Sequence, residues 1–576
     1  MREFLHALAT AAVDPSGRRW IYAPYDQLTA DVGPLAQTDP RELGLVLVEA
    51  PHKAARRPYH KAKLGFVLAN QRHFALEQAR RGVAVRYLVA SGGYADALAR
   101  FLDETDALRR GAPLMMMEAA ERELRAELAP LVDGGRIHSV PHAGWLTSRA
   151  DFLRAQPQPP WRMDAFYRHV RQTSGLLMQG GKPVGGKYSF DAENRRPWRG
   201  EPPSPTLPRF EPDAISKEVE ALVHERFAHH PGTLDIGAWP TTAADAERMW
   251  AWAKRECLPH FGPFEDAMST ASAGLFHTRI SPLLNVHRLL PARVVAEVAT
   301  DDRLPLSCRE GFVRQILGWR EFVRHVHCET DGFRGTATAH GIEPGAGDGG
   351  FARWRGESWP TRDSRVDGGA SPSALGASAG LPPAYWGRRS GLACLDGVVA
   401  DVWRDGWSHH ITRLMVLANF ATLLGVSPRE LTDWFWVAYV DAFDWVVEPN
   451  VLAMGSFAVG ELMTTKPYVC GAAYIHKMSD YCGGCAFDPK RDCPITPLYW
   501  AFMARHADVL ASNPRVAGPV ASLRKRGDAQ RARDEQVLAV VRDALDRGDA
   551  LAPGAFAAAD DSVQGSTGSR KRSGPR

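Results

Sequence analysis

The stretch GLVLVEAPHKAARRPYHKAKLGFVLANQRHFALEQARRGVAVRYLVA (44–90) reads as a strand, a helix and a second strand. GLVLVEA (44–50) and VAVRYLVA (83–90) are short apolar runs of the length and Val/Leu content that suit strands. Between them, HKAKLGFVLANQRHFALEQARRG (60–82) is too long for one strand and rich in helix formers. A further apolar run, WIYAP (20–24), precedes them. Strands that alternate with helices imply a parallel sheet covered by helices on its faces. Residues 1–145 are therefore expected to form an α/β, Rossmann-like domain.

Working outward, the pattern changes twice. Residues 146–214 carry the Pro- and Gly-rich segments AQPQPPWR (155–162) and NRRPWRGEPPSPTLPRF (194–210), expected to be an ordered interdomain linker wrapping the surface. From 215 to 510 long amphipathic helical patterns dominate and strand signals almost vanish, which predicts a large all-α domain. Residues 331–381 interrupt it with a Gly/Ala/Ser-rich insertion, read as a long, partly mobile loop. Residues 511–576 form a C-terminal extension whose tail, ending in SRKRSGPR, reads as disordered and basic.

Composition narrows the classes. An apolar fraction of 45% and a charged fraction of 24% suit a globular protein. No run of about 18 apolar residues is present, so no membrane span is expected. The N-terminal MREFLHALATAAVDPSGRRW lacks the apolar core of an export signal, and the chain is expected to be cytoplasmic and monomeric. A net charge of +4 does not by itself imply nucleic acid. Eight cysteines in 576 residues are too few for a disulfide scaffold.

Four of those cysteines carry chemistry. Cys482, Cys485 and Cys493 stand as C-x2-C-x7-C in YCGGCAFDPKRDCPITPLYW (481–500), and Cys394 lies upstream. Thiolates are soft ligands, and this spacing suits zinc and an iron–sulfur cluster equally. Cys257, Cys308, Cys328 and Cys470 stand apart and read as buried, inert thiols. The run WSHHITRLMVLANF (407–420) sets His410 and Arg413 on one helix face, with His409 beside them. A histidine there can serve as a general acid; a hydrogen-bonded core histidine is the plainer reading. Trp434, Phe435 and Trp436 are either core fillers or electron relays, and packing alone would explain them. TRISPLLN (278–285) offers hydroxyls and amides at a helix start, suited to phosphate, although Ser-Pro also simply begins helices. EGFVRQILGWREF (310–322) presents Trp319 and Arg320 on a face where an indole can stack on a base.

The segments RMDAFYRHVRQTSGLLMQGGKPVGGKYSFDAENRRPW (162–198), ISPLLN, EGFVRQILGWREFVRHVH, SHHITRLMVLANFATL, YVDAFDWVVEPN and KPYVCGAAYIHKMSDYCGGC, in this order, resemble the iron–sulfur bacterial branch of the photolyase/cryptochrome family. The resemblance runs from about residue 20 to 505. It implies an antenna-type α/β domain, residues 1–145, and a helical domain, residues 215–510, holding FAD and a [4Fe–4S] cluster. Cys394, Cys482, Cys485 and Cys493 match the cluster ligands. Blue light would then drive an electron from reduced FAD to UV-damaged DNA, here a (6-4) photoproduct, with His410 as proton donor and His409 in support. Arg413 and Asp441 match a pair flanking the isoalloxazine; Ser281 and Asn285 match the segment around the FAD phosphates and ribose. Trp386 and Trp434 match the electron path, while Trp319 matches an aromatic beside the flipped lesion, with Arg320 next to it on the substrate side.

Departures from that pattern matter as well. Lys53 stands where relatives carry a Glu that contacts 6,7-dimethyl-8-ribityllumazine, which puts that antenna chromophore in question. Val447 replaces a Glu near flavin N5, with Glu448 one residue later. His287 and Arg288 replace a Gly-Leu pair, and Phe435 replaces a Tyr. Arg162, Arg168, Arg171, Lys182, Lys187, Arg195 and Arg196 are expected to form a basic patch for DNA phosphates. The resulting expectation is a DNA photolyase. The alternatives are a cryptochrome-type photoreceptor without repair, and a nucleic-acid-binding protein with a structural cluster, like the helical iron–sulfur domain of the primase large subunit.

Overall fold

The computed structural model describes residues 1–109, 111–336, 341–345, 347–356, 359 and 366–556. The basic tail and parts of the insertion fall outside the described residues. The N-terminal sheet has five strands: β1 (Arg19–Tyr22), β2 (Leu43–Glu49), β3 (Ala84–Val89), β4 (Leu114–Met117) and β5 (Ile137–Val140). Their order is β3-β2-β1-β4-β5 and every pairing is parallel. All seven residues of β2 are buried, because the strand has neighbours on both edges and helices on both faces. That is why its sequence is a continuous apolar run rather than an alternation. Gly44 is required at its start: a Cβ there would lie 2.4 Å from the Trp20 ring.

The helix Lys61–Arg80 follows β2 and is buried almost all round, packed on the sheet on one side and on the helix Ala214–Arg226 on the other. Such burial places Arg72 in the interior, where it forms an ion pair with Glu49 at 3.0 Å, and Tyr87 donates to the same carboxylate at 2.7 Å.

The linker expected at 146–214 contains regular structure. Helices Arg149–Ala155 and Met163–Ser174 lie within it, followed by a hairpin of β6 (Met178–Gln179) and β7 (Lys182–Pro183). Ser148 starts the first helix with a reciprocal capping box to Asp151, and Gly175 ends the second in the left-handed conformation. Among the described residues beyond 214, the named elements are helical apart from short pieces of the 331–381 insertion. There β8 (Ile342–Pro344) pairs antiparallel with β9 (Asp367–Ala370), and a short helix spans Phe351–Arg355. In its described parts the insertion is thus structured and docked, where the sequence implied a loop. It is held by Arg122 and Arg334, which both reach Asp367. The C-terminal extension also belongs to the helical body: the helix Asp528–Asp546 packs on Ile495–Arg505, and Arg542 donates to the carbonyl of Leu424 at 2.8 Å. No helix among the described residues is long and apolar enough to cross a membrane.

Candidate functional site: a large cavity, a thiol cluster and a file of indoles

A cavity of about 1020 Å³ opens into the helical domain. This is the upper end of the range usual for small-molecule and cofactor sites. Ser281, Asn285, Trp319, Arg320, His409, His410, Arg413, Asp441 and Val447 all line it, so one cavity gathers residues up to 166 positions apart. Three helices bordering it pass through π-helical turns, Arg314–Arg320, Thr412–Ala418 and Glu448–Gly455. Such turns shift side chains out of the ordinary helical register and are common at functional sites.

Arg413 is a multiply bonded polar group in the wall. Its guanidinium pairs with both oxygens of Asp441 at 3.0 and 2.9 Å, and its Nε donates to the carbonyl of Ser408 at 2.8 Å. It also lies 4.0 Å from the centroid of the Tyr439 ring. Ser281 donates its hydroxyl to Asp441 at 2.6 Å, and Asn285 donates to the Asp441 carbonyl at 2.9 Å. The start of the short helix Ser281–Asn285 is thereby fixed against Arg413, and the bidentate geometry defines one edge of the cavity.

Arg320 sits beside Asn285. Its guanidinium covers the Trp145 ring at 4.2 Å and donates to the carbonyl of Leu284 at 3.1 Å. Burial pushes its pKa down to about 10. Trp319 is half-buried at the cavity wall and packs edge-on against Phe322.

Three histidines meet on another wall. His277 stacks on His409 with centroids 4.5 Å apart and an interplanar angle of 8°, and His410 meets His277 edge-on at 5.2 Å. Their ring nitrogens lie within 4.8 Å of one another. A metal, however, must lie in the plane of each ligating imidazole, and two parallel, offset rings share no such point. The trio, two stacked rings with the third edge-on, is therefore ill-suited to hold a metal. Burial, reinforced by Arg314 and Arg413, pushes His410 down to about 4; burial and His410 push His277 down to about 3. Both imidazoles are neutral at pH 7. Among the described residues, His409 Nδ1 is buried without a partner, one of several unsatisfied polar atoms on cavity-lining residues.

Val447 faces the cavity, while Glu448 points away from it. Glu448 binds His327 at 2.8 Å and Arg429 at 2.8 Å, with Arg334 at 3.7 Å. One residue of shift on a helix moves a side chain by about 100°, enough to exchange cavity for core.

The four cysteines lie outside the cavity. Cys394 is in the first turn of the helix Ala393–Asp405; Cys482 lies within the turn Tyr481–Gly484 and Cys485 directly follows it; Cys493 precedes the helix Ile495–Arg505. Burial pushes the Cys394 thiol up, and the other three sulfurs push it up further, so the four are neighbours. Yet, among the described residues, no three of these sulfurs lie within 4.8 Å of one another. A single zinc with bonds of about 2.3 Å would draw them to about 3.8 Å. The wider set fits a multi-atom inorganic core. Of the remaining cysteines, Cys257 and Cys308 are buried as expected; Cys328 is exposed and Cys470 half-buried, because their helix and loop faces meet solvent.

Trp434 and Trp386 are joined by an indole that sequence reasoning missed. Trp403 meets Trp434 edge-on at 5.8 Å and stacks on Trp386 at 5.1 Å and 18°. Toward the cavity, Trp434 touches Phe435 at 5.1 Å, and Phe435 stacks on Tyr439 at 5.3 Å. Both Phe435 and Tyr439 line the cavity. No local pattern marks Trp403; its place depends on the fold setting this one ring of the helix Ala393–Asp405 between Trp386 and Trp434. His277, by contrast, directly precedes TRISPLLN and was within reach of the sequence.

In the α/β domain the crevice between the diverging loops after β1 and β4 is where such sheets bind ligands. Here its polar groups pair with each other. Lys53 binds Glu121 at 2.6 Å and Glu123 at 3.5 Å, and the hydroxyl of Tyr25 donates to Glu121. Of the basic patch, Arg171 does not belong: it is 1% exposed and donates to the carbonyls of Leu176, Leu177 and Tyr188. Arg168 and Lys187 are exposed and do reach the cavity rim.

An α/β domain is thus joined to a helical domain that carries a cofactor-sized cavity, four neighbouring thiols and a file of indoles beside the cavity. Comparison with known proteins makes this specific. Residues 19–239 match the model of the deoxyribodipyrimidine photo-lyase-related proteins. Over 514 residues the chain is 32% identical to a (6-4) photolyase of Agrobacterium fabrum, covering 86% of this chain and 94% of that one. A 66-residue stretch is 41% identical to an uncharacterized protein of Acanthamoeba polyphaga mimivirus, covering 12% of this chain and 54% of that one. Among solved structures, a bacterial class III photolyase from Agrobacterium tumefaciens superposes with a TM-score of 0.47 at 14% identity, covering 95% and 98% of the two chains. A cryptochrome from Synechocystis sp. PCC6803 does so with 0.47 at 13%, covering 77% and 83%. The chain belongs to the photolyase-related family.

Proposed function

We propose that this protein is a light-driven DNA repair enzyme for (6-4) pyrimidine photoproducts, with FAD in the large cavity and a [4Fe–4S] cluster on Cys394, Cys482, Cys485 and Cys493. The observation that carries the reading is the meeting of the His409–His410 pair with the Arg413–Asp441 pair in one cavity. Family membership and the (6-4) photolyase relative support it. FAD, when bound, supplies a photo-excited one-electron donor. The chain's own groups do the rest. Arg413, Asp441, Ser281 and Asn285 hold one edge of the cofactor. Val447 offers it a wall that can neither give nor take a proton.

His410 carries the proton for the lesion. Its imidazole is neutral in the free protein, so it donates either its N–H or a proton gained once an anionic partner raises its affinity. Trp319 provides a flat surface for an extruded base, and Arg168, Lys187 and Lys466 on the rim suit DNA phosphates. The wide thiol set suits the cluster, which ties the helix Ala393–Asp405 to the C-terminal helices. No step is assigned to a lumazine antenna, because Lys53, Glu121 and Tyr25 satisfy one another in its expected crevice.

A second reading, a blue-light photoreceptor without repair, is favoured by Val447 and by the insertion packed on Trp386. The test is repair of a (6-4)-containing oligonucleotide by anaerobically purified protein in blue light against darkness, after its absorption spectrum has established flavin and cluster. Light-dependent recovery of the bases is expected. Failure on this substrate and on a cyclobutane-dimer substrate, with both cofactors present, selects the photoreceptor.

A further inference from the structure

The insertion buries Trp386 and supplies a replacement for it at the surface. Phe351 meets Trp386 edge-on at 5.2 Å, and the carbonyl of Gly349 accepts its indole N–H at 3.1 Å. Gly349 has φ of +59°, and a Cβ there would lie 2.7 Å from the Trp434 backbone nitrogen, so this close docking requires glycine. Trp386 is consequently only 4% exposed. On its outer face lies Trp354, on the short helix Phe351–Arg355, stacked with centroids 6.0 Å apart and planes 21° apart. Trp434, Trp403, Trp386 and Trp354 thus form one continuous file.

The four indoles differ in where their N–H points. Trp434 donates to the carbonyl of Tyr385 at 3.0 Å, Trp403 donates to the same carbonyl at 2.8 Å, and Trp386 donates to Gly349. A carbonyl oxygen stabilises a positive charge on the donor but is far too weak a base to take its proton. Trp354 is half-buried and, among the described residues, its N–H has no protein acceptor. The guanidinium of Arg355 lies 4.8 Å from the centroid of its ring. A fixed cation beside an oxidised indole favours loss of the indole proton.

We propose that Trp354 is the exit of the electron path, a residue contributed by the insertion, at which the positive charge is trapped by proton loss to water. This rests on the reading that a photo-oxidising flavin occupies the cavity. One electron leaves Trp434 for the photo-excited, oxidised cofactor. One electron moves in turn from Trp403, Trp386 and Trp354 to the neighbour nearer the cavity. Trp354 then gives its Nε1 proton to water and remains as a neutral radical. A soluble thiol returns one electron and one proton to it, and two thiyl radicals so formed combine as a disulfide. The inner three indoles hold their protons throughout and end unchanged.

The test uses full-length protein loaded with oxidised FAD, illuminated with a nitroso spin trap and no thiol, followed by transient absorption of tryptophan radicals and peptide mass mapping. The adduct is expected on Trp354, together with a long-lived neutral radical. Trp354→Phe, which keeps the ring and its packing, should lose the Trp354 adduct and the long-lived neutral signal, leaving a short-lived cation radical. An adduct on Trp386 or Trp403 in the unaltered protein would overturn the proposal, as would an unchanged neutral radical in Trp354→Phe. Trp434→Phe separates the two readings. If it still forms tryptophan radicals and reduces flavin, the reading of the cavity and its path fails; if it blocks both while Trp354→Phe changes nothing, only the exit is wrong.

Discussion

Replacing Glu448 by Gln tests whether the carboxylate next to Val447 serves the fold or the cavity. Glu448 is 1% exposed and receives charge-assisted bonds from His327 and Arg429. Burial alone would raise its pKa. The His327 hydrogen bond, Arg429 and Arg334 outweigh burial and hold it at about 2, against 4.5 for a free glutamate. At about 1.4 kcal/mol per pKa unit, that difference amounts to about 3 kcal/mol of stability at pH 7. Breaking one side of a buried ion pair typically costs about 3–5 kcal/mol, which agrees. In a domain of this size, about 3 kcal/mol lowers the melting temperature by about 6 °C. The sign with pH follows from a depressed carboxylate. Its stabilisation is complete above about 4.5 and is lost as pH falls toward about 2, so the gap between the native protein and Glu448→Gln should close over that interval. The assay is thermal unfolding of flavin-containing protein by circular dichroism, with the flavin absorption spectrum recorded in parallel. The expected result is lower stability with an unchanged flavin spectrum. A loss below about 1 kcal/mol, or full stability with a shifted flavin spectrum, would refute the placement of Glu448 in the core network.

Further expectations concern the cavity and the thiols. Selective nitrogen labelling of histidine should show His410 neutral at pH 7 in the free protein, since burial with Arg314 and Arg413 holds it near 4; a charged imidazole there would contradict that geometry. His410→Ala should retain photoreducible flavin but abolish (6-4) repair, and normal repair by this variant would remove His410 from the mechanism. Asp441→Asn weakens the bidentate pair and the Ser281 bond, and flavin retention measured by equilibrium dialysis should fall by about 10- to 100-fold; undiminished retention would show that the pair does not hold the cofactor. Cys394→Ser should remove the broad visible absorption of an iron–sulfur core and its acid-labile sulfide while leaving the flavin bands; retention of both iron and sulfide would exclude Cys394 as a ligand.

Local pattern served some parts of this molecule better than others. The strand–helix–strand at 44–90 was legible because burial on both faces of β2 makes its code a simple apolar run. The 331–381 insertion was not, because Gly, Ala and Ser carry little periodic signal. Its docking depends on Asp367 finding Arg122 and Arg334, the former 245 residues away. The linker's helices were hidden by the prolines that flank them. Arg171 read as surface charge because composition gives no sign of the three carbonyls that bury it.

The sequence by itself determined the division into an α/β and a helical domain, the four metal-type thiols, the adjacent histidines and the substitution of Val447 for an acid. Each is fixed by residue identity or by a short-range period. Tertiary structure alone decided three things: that Lys53 donates to Glu121 across 68 residues, that Glu448 turns into the core, and that Trp434, Trp403, Trp386 and Trp354 fall into one file. The physical reason is common to all three. Contacts between elements depend on how helices and loops pack at angstrom precision, and that packing is a property of the whole core rather than of any window of the chain.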